Sequence, residues 1–197
     1  MHNGKIYFIS HPEVIIDKKV PVPQWDLSET GLQRLQAMLT QPWVESINHV
    51  FSSNERKAIT TADILAAHLG KNIGRIEDLG EMDRSATGML EQPEFSQVVE
   101  QFFAKPEESI RGWERAVDAQ SRILKAVEIA EGGILATDNI ALVSHGGVGS
   151  LLLSYLKGTK ITRTDDQPSQ GHYFVFARNT KQIIHAWKAI DDLTIEN

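Results

Sequence analysis

Short apolar runs rich in Ile, Val and Phe alternate along the chain with longer stretches in which apolar residues recur every three or four positions. The first pattern predicts strands at Lys5–Ser10, Ile47–Ser52, Ile73–Leu79, Ile140–Ser144, His172–Ala177 and Gln182–Trp187. The second predicts helices. Between Lys57 and Leu69, the residues Ala58, Ala62, Leu65 and Leu69 make one apolar stripe, and Gly70 stands where a left-handed cap belongs. Val148, Leu151, Leu152 and Tyr155 repeat the pattern, closed by Gly158. A third helix is expected roughly from Gly112 to Ala130, burying Ala116, Ile123, Val127 and Ala130. Strands alternating with helices predict a layered α/β fold.

Two segments break the alternation. Asp17–Trp25 carries Pro21 and Pro23 and reads as an irregular loop. Asp83–Arg111 contains Gly88, Pro93 and Pro106 together with Phe95, Phe102 and Phe103. It reads as a mostly helical insertion, either a cap over a site or a peripheral excursion. The whole chain, 1–197, is then one domain with an insertion at about 83–111.

Composition narrows the chemistry. The chain has no cysteine, which excludes disulfides, thiolate metal sites and cysteine nucleophiles and fits a reducing compartment. The first residues lack the apolar core of a secretory signal, and no apolar run is long enough to span a bilayer. A cytoplasmic protein without a membrane partner is the expectation. A net charge of −6 leaves no global basic footprint for nucleic acid. It also opposes long-range steering of anions, so any phosphate chemistry must rely on cations gathered locally.

Two predicted strands each end in a histidine. Lys5–Ser10 is followed by His11, and Ile140–Ser144 by His145 and then Gly146-Gly147. In open α/β sheets the crevice beyond the carboxyl ends of the strands is where ligands bind. Imidazole suits nucleophilic or proton-transfer work near neutral pH. The glycine turn after His145 allows close approach of a ligand, and the helix start behind it offers N–H groups to an anion. Taken alone, His145 is equally readable as a turn histidine bonded to the backbone. At Ser52-Ser53-Asn54-Glu55-Arg56-Lys57-Ala58 a strand ends and two cations open a helix, against the helix dipole. That arrangement is understandable if Arg56 or Lys57 serves an anion; otherwise they are a solvated basic pair. In Leu79-Gly80-Glu81-Met82-Asp83-Arg84, Glu81 is a candidate general acid, with Asp83 in reserve.

Together, the order and spacing of these segments resemble the histidine phosphatase superfamily, the group that includes the cofactor-dependent phosphoglycerate mutases. The resemblance runs from Lys5 to about Trp187, and Ser28-Glu29-Thr30-Gly31 is similar to a helix entrance of that family. It implies a three-layer α/β/α sandwich with a mostly parallel central sheet. It implies His11 as a nucleophile forming a phosphohistidine, Glu81 as proton donor to the leaving oxygen, and His145 as a contact to the transferring phosphoryl group. No cofactor and no metal are implied, and no convincing metal-ligand spacing is visible.

Three positions depart from the family pattern. The opening Arg-His-Gly motif reads Ser10-His11-Pro12 here, and Lys57 stands where an arginine is usual. Ser10 removes a guanidinium, and Lys57 offers a point charge without bidentate geometry. Electrostatic stabilisation dominates phosphoryl transfer, and one lost contact costs on the order of 3 kcal/mol. Arg84, Arg56, Lys57, Arg115 and Arg163 are the candidate replacements, with Arg84 first because it lies three residues beyond Glu81. Ser10 and Gly146 complete the expected substrate-binding set, and Gln167 to Gly171 is a further candidate lining segment. The expected activity is hydrolysis of a small phosphate monoester. A ligand-binding relative that has lost catalysis and a phosphomutase remain alternatives. The sequence leaves self-association open.

Overall fold

The computed structural model describes residues 3–192. In chain order its main elements are β1 (Lys5–Ser10), α1 (Glu29–Leu39), β2 (His49–Ser52), α2 (Arg56–Leu69), β3 (Ile73–Arg75), α3 (Glu94–Ala104), α4 (Ala116–Glu131), β4 (Ile140–Ser144), α5 (Gly146–Lys157), β5 (His172–Ala177) and β6 (Ile183–Ala189). The strands form one sheet in the order β3-β2-β4-β1-β5-β6. The β3-β2-β4-β1 half is parallel, whereas β5 runs antiparallel to both β1 and β6.

The period-two alternation of the strands sorts the apolar residues into two cores. On one face Ile6, Phe8, Ile140, Leu142 and Phe174 pack against Val98 and Phe102 of α3, Ile123 of α4 and Leu151 of α5. On the other, Tyr7, Ile9, Val50, Ala141 and Val143 pack against Leu35 and Met38 of α1 and Ala62 and Leu65 of α2. The result is an α/β/α sandwich. Strand β4 is buried at all five positions, as a parallel strand covered on both faces must be, which is why it reads as a continuous apolar run.

Local signals account for the helix boundaries. Ser28 caps α1 by accepting from Gly31 N at 3.1 Å. Gly70 and Gly158 end α2 and α5 with φ of 63° and 65°, where a side chain would be strained. Three expectations are corrected. Strand β3 stops at Arg75, and Glu77–Leu79 is a short 3-10 turn that lifts the chain off the sheet towards the crevice. Helix α4 starts at Ala116 rather than near Gly112. Within 83–111, α-helix covers only Glu94–Ala104, and the flanks are turns and irregular chain. No helix among the described residues is long and apolar enough to cross a membrane.

Candidate active site

Strand register builds the centre of the site. β1 and β4 are adjacent and parallel, with Ser10 opposite Ser144. The next residue on each strand is therefore a histidine, and the two rings meet edge to face at 5.2 Å between centroids. His11 N donates to Ser144 O at 3.1 Å, extending the ladder by one step, and Gly171 N donates to His11 O at 3.0 Å. Pro12 has no N–H to satisfy and biases His11 to extended backbone. Its carbonyl accepts from His11 Nδ1 at 2.8 Å, which leaves the lone pair on Nε2. Burial, then Lys57, lowers the His11 pKa to about 4, so the ring is neutral at pH 7.

Strand β2 delivers the second group. Ser53 N donates to Val143 O at 3.1 Å, and Ser53 Oγ lies 2.8 Å from His145 Nε2. Glu55 Oε1 is 3.4 Å from the same nitrogen. Burial drives the His145 pKa well below its ordinary value, although Glu55 opposes the shift. His145 Nδ1 is buried with no protein partner. The Glu55 carboxylate also pairs with Lys57 Nζ and accepts from Glu81 N at 2.9 Å. Burial pushes Glu55 up, but His145 and Lys57 outweigh it and hold its pKa near 2. Lys57 is buried, and its ammonium also donates to Val22 O at 3.1 Å. The cation at the start of α2 is thus balanced by an acid at the residue before the helix.

Glu81 arrives from the turn after β3 and occupies the N-terminus of α5. Its carboxylate accepts from Gly147 N at 3.1 Å and Val148 N at 3.0 Å, and from Met82 N at 3.1 Å. The sequence suggested that this helix start would offer its N–H groups to a bound phosphate, but two of them are already taken by Glu81. A Cβ on Gly147 would lie 2.7 Å from Glu81 Oε1 and 2.2 Å from Met82 Cε, so glycine is what lets the acid come this close. Burial and the neighbouring Glu55 raise the Glu81 pKa. Arg122 of α4 fixes the supporting turn, donating to the carbonyls of Asp78 at 2.8 Å, Gly80 at 2.9 Å and Glu81 at 3.2 Å while Glu114 grips the same guanidinium.

A cavity of about 1110 Å³ opens over these groups. His11, Glu81, His145, Lys57, Arg84 and Gly146 all line it. Arg84 lies over the Phe95 ring at 5.1 Å, and among the described residues its guanidinium has no hydrogen bond or ion pair. Arg56 and Ser10 are not in the lining. Arg56 is largely exposed and pairs with Asp26 at 2.9 Å. Ser10 is buried behind the cavity wall and donates from Oγ to Gln167 Oε1 at 2.6 Å. Of the other arginines, Arg115 pairs with Asp118 away from the cavity, and Arg163 is at the lining but tied to Asp166 and Glu100. Asp83 also reaches the lining, exposed and ionised below the usual carboxylate range by its bonds to Ser85. No group of three or more His, Asp or Glu suited to a metal ion occurs among the described residues.

The sequence reading gave no role to Ser53, Glu55 or Arg122. The strand–helix junction that carries Ser53 and Glu55 was visible, and an acid two residues before a buried lysine is a usable signal in hindsight. Arg122 carries none, because the bonds by which it fixes the turn go to backbone carbonyls more than 40 positions away.

Known structures share this architecture. A mycobacterial glucosyl-3-phosphoglycerate phosphatase in complex with inorganic phosphate aligns with TM-score 0.71 and 18% identity, covering 94% of each chain. YhfR of Bacillus stearothermophilus aligns with TM-score 0.72 and 19% identity over 93% of this chain and 95% of its own. A phosphoserine phosphatase from Entamoeba histolytica, in complex with phosphoserine, aligns with TM-score 0.72 and 15% identity over 96% and 99%. No curated protein sequence matches the chain. The family model of the histidine phosphatase superfamily (branch 1), however, matches residues 6–176 and so takes in both histidines, Glu81 and the strands that bring them together; the chain belongs to that superfamily.

Proposed function

We propose that this chain is a phosphatase that hydrolyses a phosphate monoester through a phosphohistidine on His11. The observation that carries the reading is the state of His11: a neutral ring at the cavity wall, its Nδ1 proton committed to Pro12 O and its Nε2 lone pair available. Nε2 attacks phosphorus, and the bond to the ester oxygen breaks. Glu81, whose pKa is raised by burial and by the neighbouring Glu55, protonates the departing alcohol. Glu81 then takes a proton from water as that water displaces His11, releasing orthophosphate and restoring the ring.

Charge compensation comes from Arg84, a lining cation with no acid partner among the described residues, and from His145. His145 has an unpartnered Nδ1 and a carboxylate behind its Nε2, so Glu55 balances the imidazolium if a bound dianion brings a proton with it. Lys57 contributes less than a free cation, since Glu55 already neutralises it. The cavity is far larger than a phosphate group and is walled in part by Trp25, Met82, Met89, Phe95 and Phe103. This favours a leaving group with an apolar body. The mycobacterial and Entamoeba relatives, crystallised with inorganic phosphate and phosphoserine, support the same substrate class.

Trapping tests the proposal. An aryl phosphate should leave an acid-labile phosphoenzyme on the wild type and none on His11→Ala. Labelling that persists in the variant removes His11 from the role. No turnover across a broad panel of phosphate esters would favour a ligand-binding relative, and transfer to an added alcohol in excess of water would favour a mutase.

A further inference from the structure

We propose that Gln167 is a phosphoryl-binding residue, donating from its Nε2 amide to a non-bridging oxygen, and that Ser10 is the positioning residue that aims it. The inference rests on the phosphatase reading for its ligand. Position 10 holds a serine and no cation, so one side of His11 lacks a charged donor.

The geometry supplies a neutral one. Ser10 Oγ accepts from His172 N at 3.5 Å, which leaves its own proton for Gln167 Oε1 at 2.6 Å. In this arrangement the amide oxygen is the end that faces Ser10. The NH2 end therefore faces away from Ser10, and it lies against the start of α5. A Cβ on Gly146 would come within 1.9 Å of Gln167 Nε2. Gly146 follows His145 directly, and Gln167, Gly146, His145 and His11 line the same cavity. Among the described residues Nε2 has no hydrogen-bond acceptor. A donor held in a fixed direction beside two catalytic imidazoles, with no acceptor of its own, is suited to an anion oxygen.

The segment bearing Gln167 is anchored at both ends. Asp166 Oδ1 accepts from Gln167 N at 3.0 Å and from Ser150 Oγ at 3.2 Å. Arg34 donates to Gln170 O at 2.8 Å and Gly171 O at 3.0 Å, while Glu13 and Asp191 hold its guanidinium. The amide is thus presented by a braced loop.

Calorimetric titration with inorganic phosphate, alongside kcat/KM for an aryl phosphate, is the test. Gln167→Ala should weaken phosphate binding about tenfold and lower kcat/KM by a similar factor. Gln167→Glu keeps the bond from Ser10 but turns a carboxylate oxygen towards the anion, and should weaken binding about a hundredfold. Ser10→Ala should weaken it about threefold in the wild type and not at all in Gln167→Ala, because Ser10 acts only through the amide. Unchanged thermal unfolding of each variant separates this role from a structural one. Gln167→Ala that binds phosphate within twofold of an active wild type overturns the inference alone. A wild type that binds phosphate through Gln167 yet traps no phosphohistidine overturns the catalytic reading and leaves this one standing.

Discussion

The two walls that flank His11 and His145 are built on different principles. The wall from β2 and the turn after β3 is dense with charge: Glu55 binds Lys57, approaches His145 and receives the Glu81 N–H. The wall from the loop before β5 is neutral, a serine holding a glutamine. Apart from Arg84, the charged wall largely cancels its own charge, so its groups are fixed in place but contribute little net field. The neutral wall keeps a donor free. A site is therefore not read by counting its cations. Which donors remain unused after the protein has bonded to itself decides what is left for a ligand.

Breaking the charged wall should have the largest effects. Glu81→Gln keeps the shape at the α5 N-terminus but removes the transferable proton. A loss of about a hundredfold or more in kcat is expected for alkyl phosphates. The loss should shrink for nitrophenyl esters, whose leaving group needs no acid; equal losses for both would remove Glu81 from that role. Glu55→Gln leaves the buried Lys57 ammonium without its counter-ion and should destabilise the fold by about 3 kcal/mol, read from denaturant midpoints. Glu55→Gln combined with Lys57→Met should recover much of that loss, since neither buried charge then lacks a partner.

Between the walls, His11 ties stability to pH. Its pKa falls from an ordinary 6.5 to about 4 on folding, chiefly through burial. Between those values the unfolded chain binds a proton that the folded chain refuses. Stability is therefore full above about pH 6.5 and declines as pH falls through about 4, by about 3 kcal/mol from this group. His11→Asn should flatten part of that slope in unfolding measured from pH 7 to 4. The smallest effect belongs to Arg56, a neighbour of the charged wall in sequence only. Exposed and paired with Asp26, it should tolerate alanine with its unfolding unchanged and kcat/KM within about twofold. A larger drop in kcat/KM would place it at the substrate after all.

Periodicity was enough for the layered fold, for four of the eleven main elements nearly to the residue (β1, β4, β5 and α2) and for the end of α5. Strand and helix periods are local properties of the chain, and glycines at 70 and 158 mark ends by their own conformational freedom. The same logic brought out His11 and His145, because a polar ring directly after a fully apolar strand has to emerge at a sheet edge. Adjacent Arg56 and Lys57, by contrast, look equivalent in the sequence. Only the helix phase turns one outwards to Asp26 and buries the other beside Glu55. Glu81 at the α5 N-terminus, Arg122 on three distant carbonyls and Ser10 on Gln167 are likewise pairings between residues 41 to 157 positions apart. Hydrogen bonds of that kind depend on distances of a few ångström across the sheet edge. No local pattern encodes such distances; they exist only once strand order and register have brought the ends of β1, β2 and β4 together.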